Sequence, residues 1–365
     1  MTTVFEERGS GPRTHAFVVG VGDYPYCADF DGDGALASAV RNFKPVAGPP
    51  PSARAVASWL VENQAGKSFA PLGSVELLVS GEDSPTVENF RMAFERWYSR
   101  CDENEDNVAL FFFSGHGCQK EGQLILLEDF GRWRNPFEGA LKIETFAAGM
   151  EQCRAKVQCY FVDACRNLPH ELLESPPAHT FTPILPDVVG RARESVILFG
   201  TAPGATAPGS LDGPTPFTVT LLQALEGAAA TKDHSGQWVI RTGDLVTAMN
   251  AVIEWQSGES HGVWAGGGFQ GNRPIRHLDG VPAVPFRLGC DPREALACAR
   301  LVLTCPDTSV VLSREPLPAL WEDRTPAAVY LLNACFDGAD YNDACSHYMP
   351  VHPPNLVFDL RVCGA

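Results

Sequence analysis

The sequence predicts an α/β protein: a three-layer α/β/α sandwich around a mostly parallel sheet, followed by a small all-β sandwich domain. Three observations carry that expectation. Short apolar, β-branched runs alternate with stretches of helical period through roughly the first three-quarters of the chain, the pattern of strands joined by crossover helices. Two of those runs stop at polar turns, SGHG and DACRN. After about residue 280 the pattern changes to short strand-like runs separated by Pro, Asp and Gly. The expected organisation is a flexible N-terminal tail over residues 1–13, an α/β domain over 14–278 and a β-sandwich over 281–365.

Taken in order, HAFVVGVGDY (15–24) reads as a buried strand ending at Gly-Asp. An irregular stretch rich in Asp and Gly follows. SARAVASWLVEN (52–63) has helical spacing, with Ser52 as a candidate cap. SVELLVS (74–80) reads as a second strand. SPTVENFRMAFERWYSR (84–100) reads as an amphipathic helix, with Pro85 in its first turn and Phe90, Phe94 and Trp97 on one face. NVALFFFSGHG (107–117) is a third strand, IETFAAGMEQCRA (143–155) a helix, and VQCYFVDACRN (157–167) a fourth strand. Residues 168–190 are rich in Pro and aperiodic, which predicts a long loop. SVILFGTAPG (195–204) is a fifth strand, and TPFTVTLLQALEG (215–227) and RTGDLVTAMNAVIEW (241–255) are helices. Beyond them, PVPFRLGC, CARLVLTC, SVVLSRE, AVYLLNACF and LVFDLRV supply the short strands of the last domain.

Sites in parallel sheets lie beyond the carboxyl ends of the strands, where both polar turns are expected. One carries His116 between Gly115 and Gly117, the other Cys165. A thiolate attacks carbonyl carbons, and an imidazole that titrates near neutrality can take and return its proton. Backbone N–H groups in tight turns can receive a developing oxyanion. A lone His or Cys at a strand end is more often structural. Two of them at the ends of parallel strands, 49 residues apart, point to a nucleophile–base pair.

At these motifs the chain resembles the caspases and metacaspases, a family of cysteine peptidases of clan CD, and in particular bacterial caspase-like proteins. FFFSGHG is similar to the family's histidine strand, YFVDACRN to its nucleophile strand, FGTAPG to its fifth strand and TPFTVTLLQAL to the following helix. The offset from His116 to Cys165 is close to the roughly 50 residues of caspases. The resemblance covers about residues 14–278. It implies a caspase-like three-layer fold, a cysteine–histidine dyad with Cys165 as nucleophile and His116 as general acid/base, and an oxyanion hole from the N–H groups of Gly117 and Cys165. It implies that Asp163, two residues before the nucleophile, lines the S1 pocket, as in metacaspases. A buried carboxylate needs a cationic partner, which a substrate Arg supplies. The Trp-Arg pair that grips an acidic substrate in caspases has Pro208 and Gly209 as its counterparts here. The expected activity is therefore that of an endopeptidase cleaving after Arg or Lys. Arg191 and Arg193 offer sites for autocleavage just before the fifth strand. The family's roles suggest programmed cell death or antiviral defence, with a protein substrate such as a pore-forming, gasdermin-like effector. The alternative is a catalytically silent caspase-fold scaffold that binds partners through its C-terminal β domain.

Other signals bound the reading. Formal net charge is −16, which disfavours nucleic acid and anionic membranes as partners. No apolar run approaches a membrane span, so membrane insertion is not expected. The N-terminus lacks an apolar signal core, and the 12 cysteines are scattered without zinc-ligand spacing. A cytoplasmic protein with reduced thiols and no cofactor or metal is the expectation. Asp29, Asp31, Asp33 and Gly34 imitate the opening of a calcium loop, but Val40 stands where the twelfth-position Glu belongs. A polar loop beside the site is the reading there, with calcium the one ion candidate. One of those Asp residues, or Asp23, is a candidate second pocket carboxylate.

Overall fold

The computed structural model describes residues 2–67, 69–166, 179–186, 194–202, 204, 210, 212–258, 262–267, 272–338, 340–346 and 348–364. These fall into two compact units, residues 1–222 with 241–246 and 260–277, and residues 223–240 with 247–259 and 278–365. Leu278 begins the second unit's C-terminal run. Two stretches expected in the first domain cluster with the second.

The first unit is built on a seven-stranded sheet. Its strands are β1 (Thr3–Glu6), β2 (Thr14–Gly20), β3 (Leu72–Val79), β4 (Val108–Ser114), β8 (Val157–Asp163), β9 (Glu194–Phe199) and β12 (Trp264–Gly266), in the order β1-β3-β2-β4-β8-β9-β12. The five central strands run parallel, and β1 and β12 close the edges antiparallel. Every residue of β2, β4, β8 and β9 is buried. A strand covered on both faces has no reason to alternate, so these segments read as continuous apolar runs.

Alternate residues of those strands face two helical layers. Phe17, Phe111 and Tyr160 join Phe90 and Trp97 of α3 (Val87–Asp102) and Phe146 of α4 (Ile143–Met150) in one aromatic core. Phe111 and Phe146 meet edge to face at 5.1 Å between ring centroids. Burying one such ring stabilises the fold by about 1.5–3 kcal/mol. The other face meets α2 (Pro49–Gln64), where a Cβ on Gly20 would stand 2.7 Å from Ala53 Cβ. The three-layer mixed α/β architecture with a mostly parallel sheet is thus the one expected.

Local expectations needed correction in four places. Residues 3–6, expected in a loose tail, pair with β3. Their anchor is Glu76, whose side chain is fully buried and ion-paired to Arg96 and Arg100. The Thr2 and Thr3 hydroxyls donate to the same carboxylate, at 2.7 and 2.6 Å. Ser52 does not cap α2, which begins three residues earlier; its hydroxyl donates to Gly48 O inside the helix. The residue capping α3 is Thr86, whose hydroxyl accepts from Asn89 N–H, so Pro85 lies outside the helix. The stretch expected to be irregular holds α1 (Gly34–Arg41), which buries Ala37, Ala39 and Val40.

Between β4 and α4, a three-stranded sheet forms from β5 (Gly117–Gln119), β6 (Gln123–Leu126) and β7 (Ala140–Lys142). The helix expected over 215–227 begins as α5 (Pro216–Gln223), and its last turn loosens into a π-helical turn at Ala224–Ala228. The next, α6, spans Thr242–Ser257.

In the second unit, β17 (Trp321–Pro326), β14 (Ala283–Asp291) and β21 (Leu356–Arg361) form one sheet. A second runs β16 (Val311–Arg314), β15 (Arg300–Thr304), β18 (Ala328–Cys335) and β19 (Ala344–Cys345), with β20 (Met349–Val351) also on β18. Burial alternates along β15 and β18, the period-two signature of sheets covered on one face. The Tyr330 hydroxyl is held by Thr325 and by Pro326 O, linking β18 to β17. No helix among the described residues is long and apolar enough to cross a membrane.

Candidate active site

Ser114 and Asp163 end β4 and β8 and are register partners across the two parallel strands. His116 and Cys165 each lie two residues further on, so both leave the sheet at the same edge. Gly115 N–H donates to Asp163 O at 3.2 Å, tying the two exits together. A Cβ on Gly117 would stand 2.9 Å from Ala164 Cβ, so the turn after His116 and the turn holding Cys165 touch. Cys165 is partly exposed, whereas Cys27, Cys101, Cys118, Cys153 and Cys159 in the same unit are buried.

The imidazole of His116 is gripped on several sides. Its backbone N–H donates to the Tyr24 hydroxyl at 2.7 Å, and the Tyr24 ring lies 4.8 Å from the imidazole centroid. Phe43 approaches edge-on at 5.2 Å. Nε2 lies 2.7 Å from Lys44 O. A carbonyl can only accept, so Nε2 carries hydrogen and the neutral ring keeps its lone pair on Nδ1. Burial lowers the pKa of His116 below the usual histidine value, against an opposing pull from the Lys44 carbonyl.

Asp163 is buried, on the sheet face covered by α2. Its Oδ2 accepts from the Ser114 hydroxyl at 2.9 Å and from the Thr215 hydroxyl. Thr215 is itself set by Ser52 of α2, whose Oγ accepts the Thr215 N–H at 2.9 Å. Oδ1 turns toward Gly200, where a Cβ would come within 3.3 Å of it. Burial pushes the carboxyl up to about 6, opposed by hydrogen bonds from Thr215, Ser114 and Thr218. All three are neutral hydroxyl donors, so they satisfy lone pairs without supplying a countercharge.

Gly117 opens β5, against the nucleophile turn. Arg191, Arg193, Pro208 and Gly209 lie outside the described residues. Asp23, Asp29, Asp31 and Asp33 are exposed. Among the described residues no group of three or more His, Cys, Asp and Glu is arranged to hold a metal ion. Tyr24, Phe43, Lys44, Gln123 and Thr215 were not singled out from the sequence. Tyr24 closes the Gly-Asp-Tyr that ends the first strand run, which is a usable signal. Phe43 and Lys44 reach His116 through a loop that carries no motif.

The profile of the caspase domain family matches residues 15–262. The chain belongs to the caspase-domain family of cysteine peptidases. An uncharacterized protein, y4kE, of Sinorhizobium fredii (strain NBRC 101917 / NGR234) is 26% identical over 284 residues, covering 68% of this chain and 77% of its own. Among solved structures, caspase-1 from Spodoptera frugiperda aligns over 73% of this chain and 92% of its own, at 11% identity and a TM-score of 0.42.

Proposed function

We propose that the chain is an endopeptidase that hydrolyses peptide bonds on the carboxyl side of Arg or Lys through an acyl-enzyme on Cys165. The observation that carries this reading is the register: His116 and Cys165 stand at equivalent positions past the paired residues Ser114 and Asp163. In the reaction, the Cys165 sulfur gives its proton to the His116 imidazole and attacks the scissile carbonyl carbon. The N–H groups of Gly117 and Cys165 receive the oxyanion. Collapse of the tetrahedral species expels the amine, which takes the proton from His116. Water, activated by the same imidazole, then releases the acid product and restores the thiol.

Preference for a basic side chain rests on Asp163. A buried carboxylate surrounded by neutral hydroxyls gains most from a guanidinium that reaches its Oδ1. The proposed biological setting is cleavage of a small number of target proteins in regulated cell death or defence, and it comes from the family resemblance alone.

The test uses fluorogenic peptides ending in Arg, Lys and Asp, with the wild type beside Cys165→Ala. Cleavage of the Arg and Lys peptides that vanishes in the variant is expected, together with covalent labelling of Cys165 by an Arg-based acyloxymethyl ketone. Preference for Asp would overturn the pocket assignment, and an unlabelled protein would overturn the enzyme reading. Self-processing at Arg191 or Arg193 is read by intact mass, which should differ between wild type and Cys165→Ala.

A further inference from the structure

We infer that Gln123 is a positioning residue that joins the histidine turn to the nucleophile turn, an inference that rests on the peptidase reading above. Gln123 begins β6 and is fully buried. Its side-chain Nε2 donates to Cys165 O and to Leu124 O, each at 3.0 Å. Both partners are carbonyls, so the amide nitrogen and not its oxygen must face them. The Gln123 backbone N–H donates in turn to both carboxylate oxygens of Glu144 at 3.0 Å, which anchors the residue to α4. On its other side Nε2 is packed against Gly117, where a Cβ would come within 2.6 Å of it. One buried amide therefore touches both backbone segments proposed to receive the oxyanion.

The physical consequence runs through the Cys165 Cα. The N–H that would bind the oxyanion, the side chain that carries the sulfur and the carbonyl held by Gln123 all radiate from that atom. Holding the carbonyl fixes the Cys165–Arg166 peptide plane and removes a rotation that would swing both the sulfur and the N–H. The next carbonyl, Arg166 O, is held from a different direction by Gly204 N–H at 2.8 Å. Preorganised donors contribute to rate because they need not be rearranged as charge develops.

A second observation argues that the amide is present for more than packing. Among the described residues, Gln123 Oε1 is buried with no hydrogen-bond partner. A buried unpaired acceptor costs stability, and a Leu or Met of similar size would avoid that cost. A polar group kept at such a cost beside a reactive centre is characteristic of a site where function outweighs stability.

The experiment compares the full chain with Gln123→Met and Gln123→Glu. It measures kcat and KM on an Arg-peptide substrate, the thermal midpoint, and the carbonyl 13C resonance of Cys165 in protein labelled at cysteine. The expected result for Gln123→Met is a kcat lower by about 10- to 100-fold, less than the roughly 10²- to 10³-fold lost when an oxyanion donor is removed outright, because the donor is loosened and not lost. KM and the thermal midpoint stay close to wild type, and the Cys165 carbonyl resonance moves upfield as its hydrogen bond is lost. Should Gln123→Met fail to fold, the isosteric Gln123→Glu takes its place; it sets an oxygen against the Cys165 carbonyl and should lose kcat in the same way. A variant that matches wild type in kcat, or a Cys165 resonance that does not move, overturns the positioning role alone. So does a loss that falls on KM. A wild type that cleaves no peptide overturns the peptidase reading, and this role with it.

Discussion

His116 Nε2 donates to the carbonyl oxygen of Lys44 at 2.7 Å, across 72 residues of sequence. The bond uses a backbone acceptor, so the identity of residue 44 is unimportant to it. It settles which nitrogen of the neutral ring carries hydrogen, and it leaves Nδ1 as the proton acceptor.

Activity should therefore persist to lower pH than an ordinary histidine would allow. Burial depresses the His116 pKa, so the imidazole remains neutral, and able to accept the thiol proton, below the ordinary histidine value of 6.5. The acid limb of the pH profile of kcat/KM for an Arg peptide should have its midpoint below 6.5. Lys44→Ala should leave that midpoint unchanged, because the carbonyl remains. A midpoint above 6.5 in the wild type would contradict this account.

Asp163 predicts a second, separable pH effect. Its carboxyl titrates near 6 against an ordinary 3.8, so lowering the pH through 6 removes the charge that would attract a basic side chain. Discrimination between Arg and its neutral analogue citrulline at the cleavage position should shrink over that interval. Asp163→Asn should abolish the discrimination at all pH values. The same shift affects stability. The folded state binds more protons than the unfolded state between the two values, so stability falls as pH rises through that window, by roughly 3 kcal/mol. Chemical denaturation at pH 8 should find Asp163→Asn at least as stable as wild type, and a marked loss would refute the assignment.

Gly117 should not tolerate even a methyl group. A Cβ there would lie 2.6 Å from Gln123 Nε2, 2.8 Å from Leu124 O and 2.9 Å from Ala164 Cβ. Two of those neighbours are backbone or a short side chain and cannot swing away. Gly117→Ala should reduce kcat by about 10²- to 10³-fold, the cost of a displaced oxyanion donor, and destabilise the fold by about 1–3 kcal/mol through overpacking. Steady-state kinetics and urea melts on the same preparation test both parts.

His15 lies far from the site and bears on acid stability. It is buried, bonded through Nδ1 to the Ser74 hydroxyl at 2.9 Å, and pushed down to about 4 by burial, with Arg100 and Arg13 adding to the shift. Between 4 and 6.5 the unfolded chain binds a proton that the folded chain does not. Stability therefore falls as pH drops through that window, by about 3 kcal/mol in all. His15→Asn should flatten the pH dependence of the urea midpoint there, and an unchanged slope would assign the acid loss to other groups.

The sequence alone determined a great deal here. Fully buried parallel strands read as unbroken apolar runs, which is why 107–114 and 157–163 were legible, and why the turns that follow them drew attention to His116 and Cys165. Those two residues were singled out because strand ends and turn chemistry are local properties, written in a few consecutive letters. What the tertiary structure decided is everything that depends on distant segments meeting. Glu76 held by Arg96, Arg100 and two N-terminal threonines turned an expected tail into a sheet edge. Lys44 O on His116, Thr215 on Asp163 and Gln123 on Cys165 O join segments 72, 52 and 42 residues apart. Lys44 and Gln123 lie in no motif, and Thr215 opens a segment read only as the start of a helix, because a backbone carbonyl or a lone hydroxyl acquires its role from where the chain places it, and that placement is fixed by packing of the whole sheet and not by neighbouring letters.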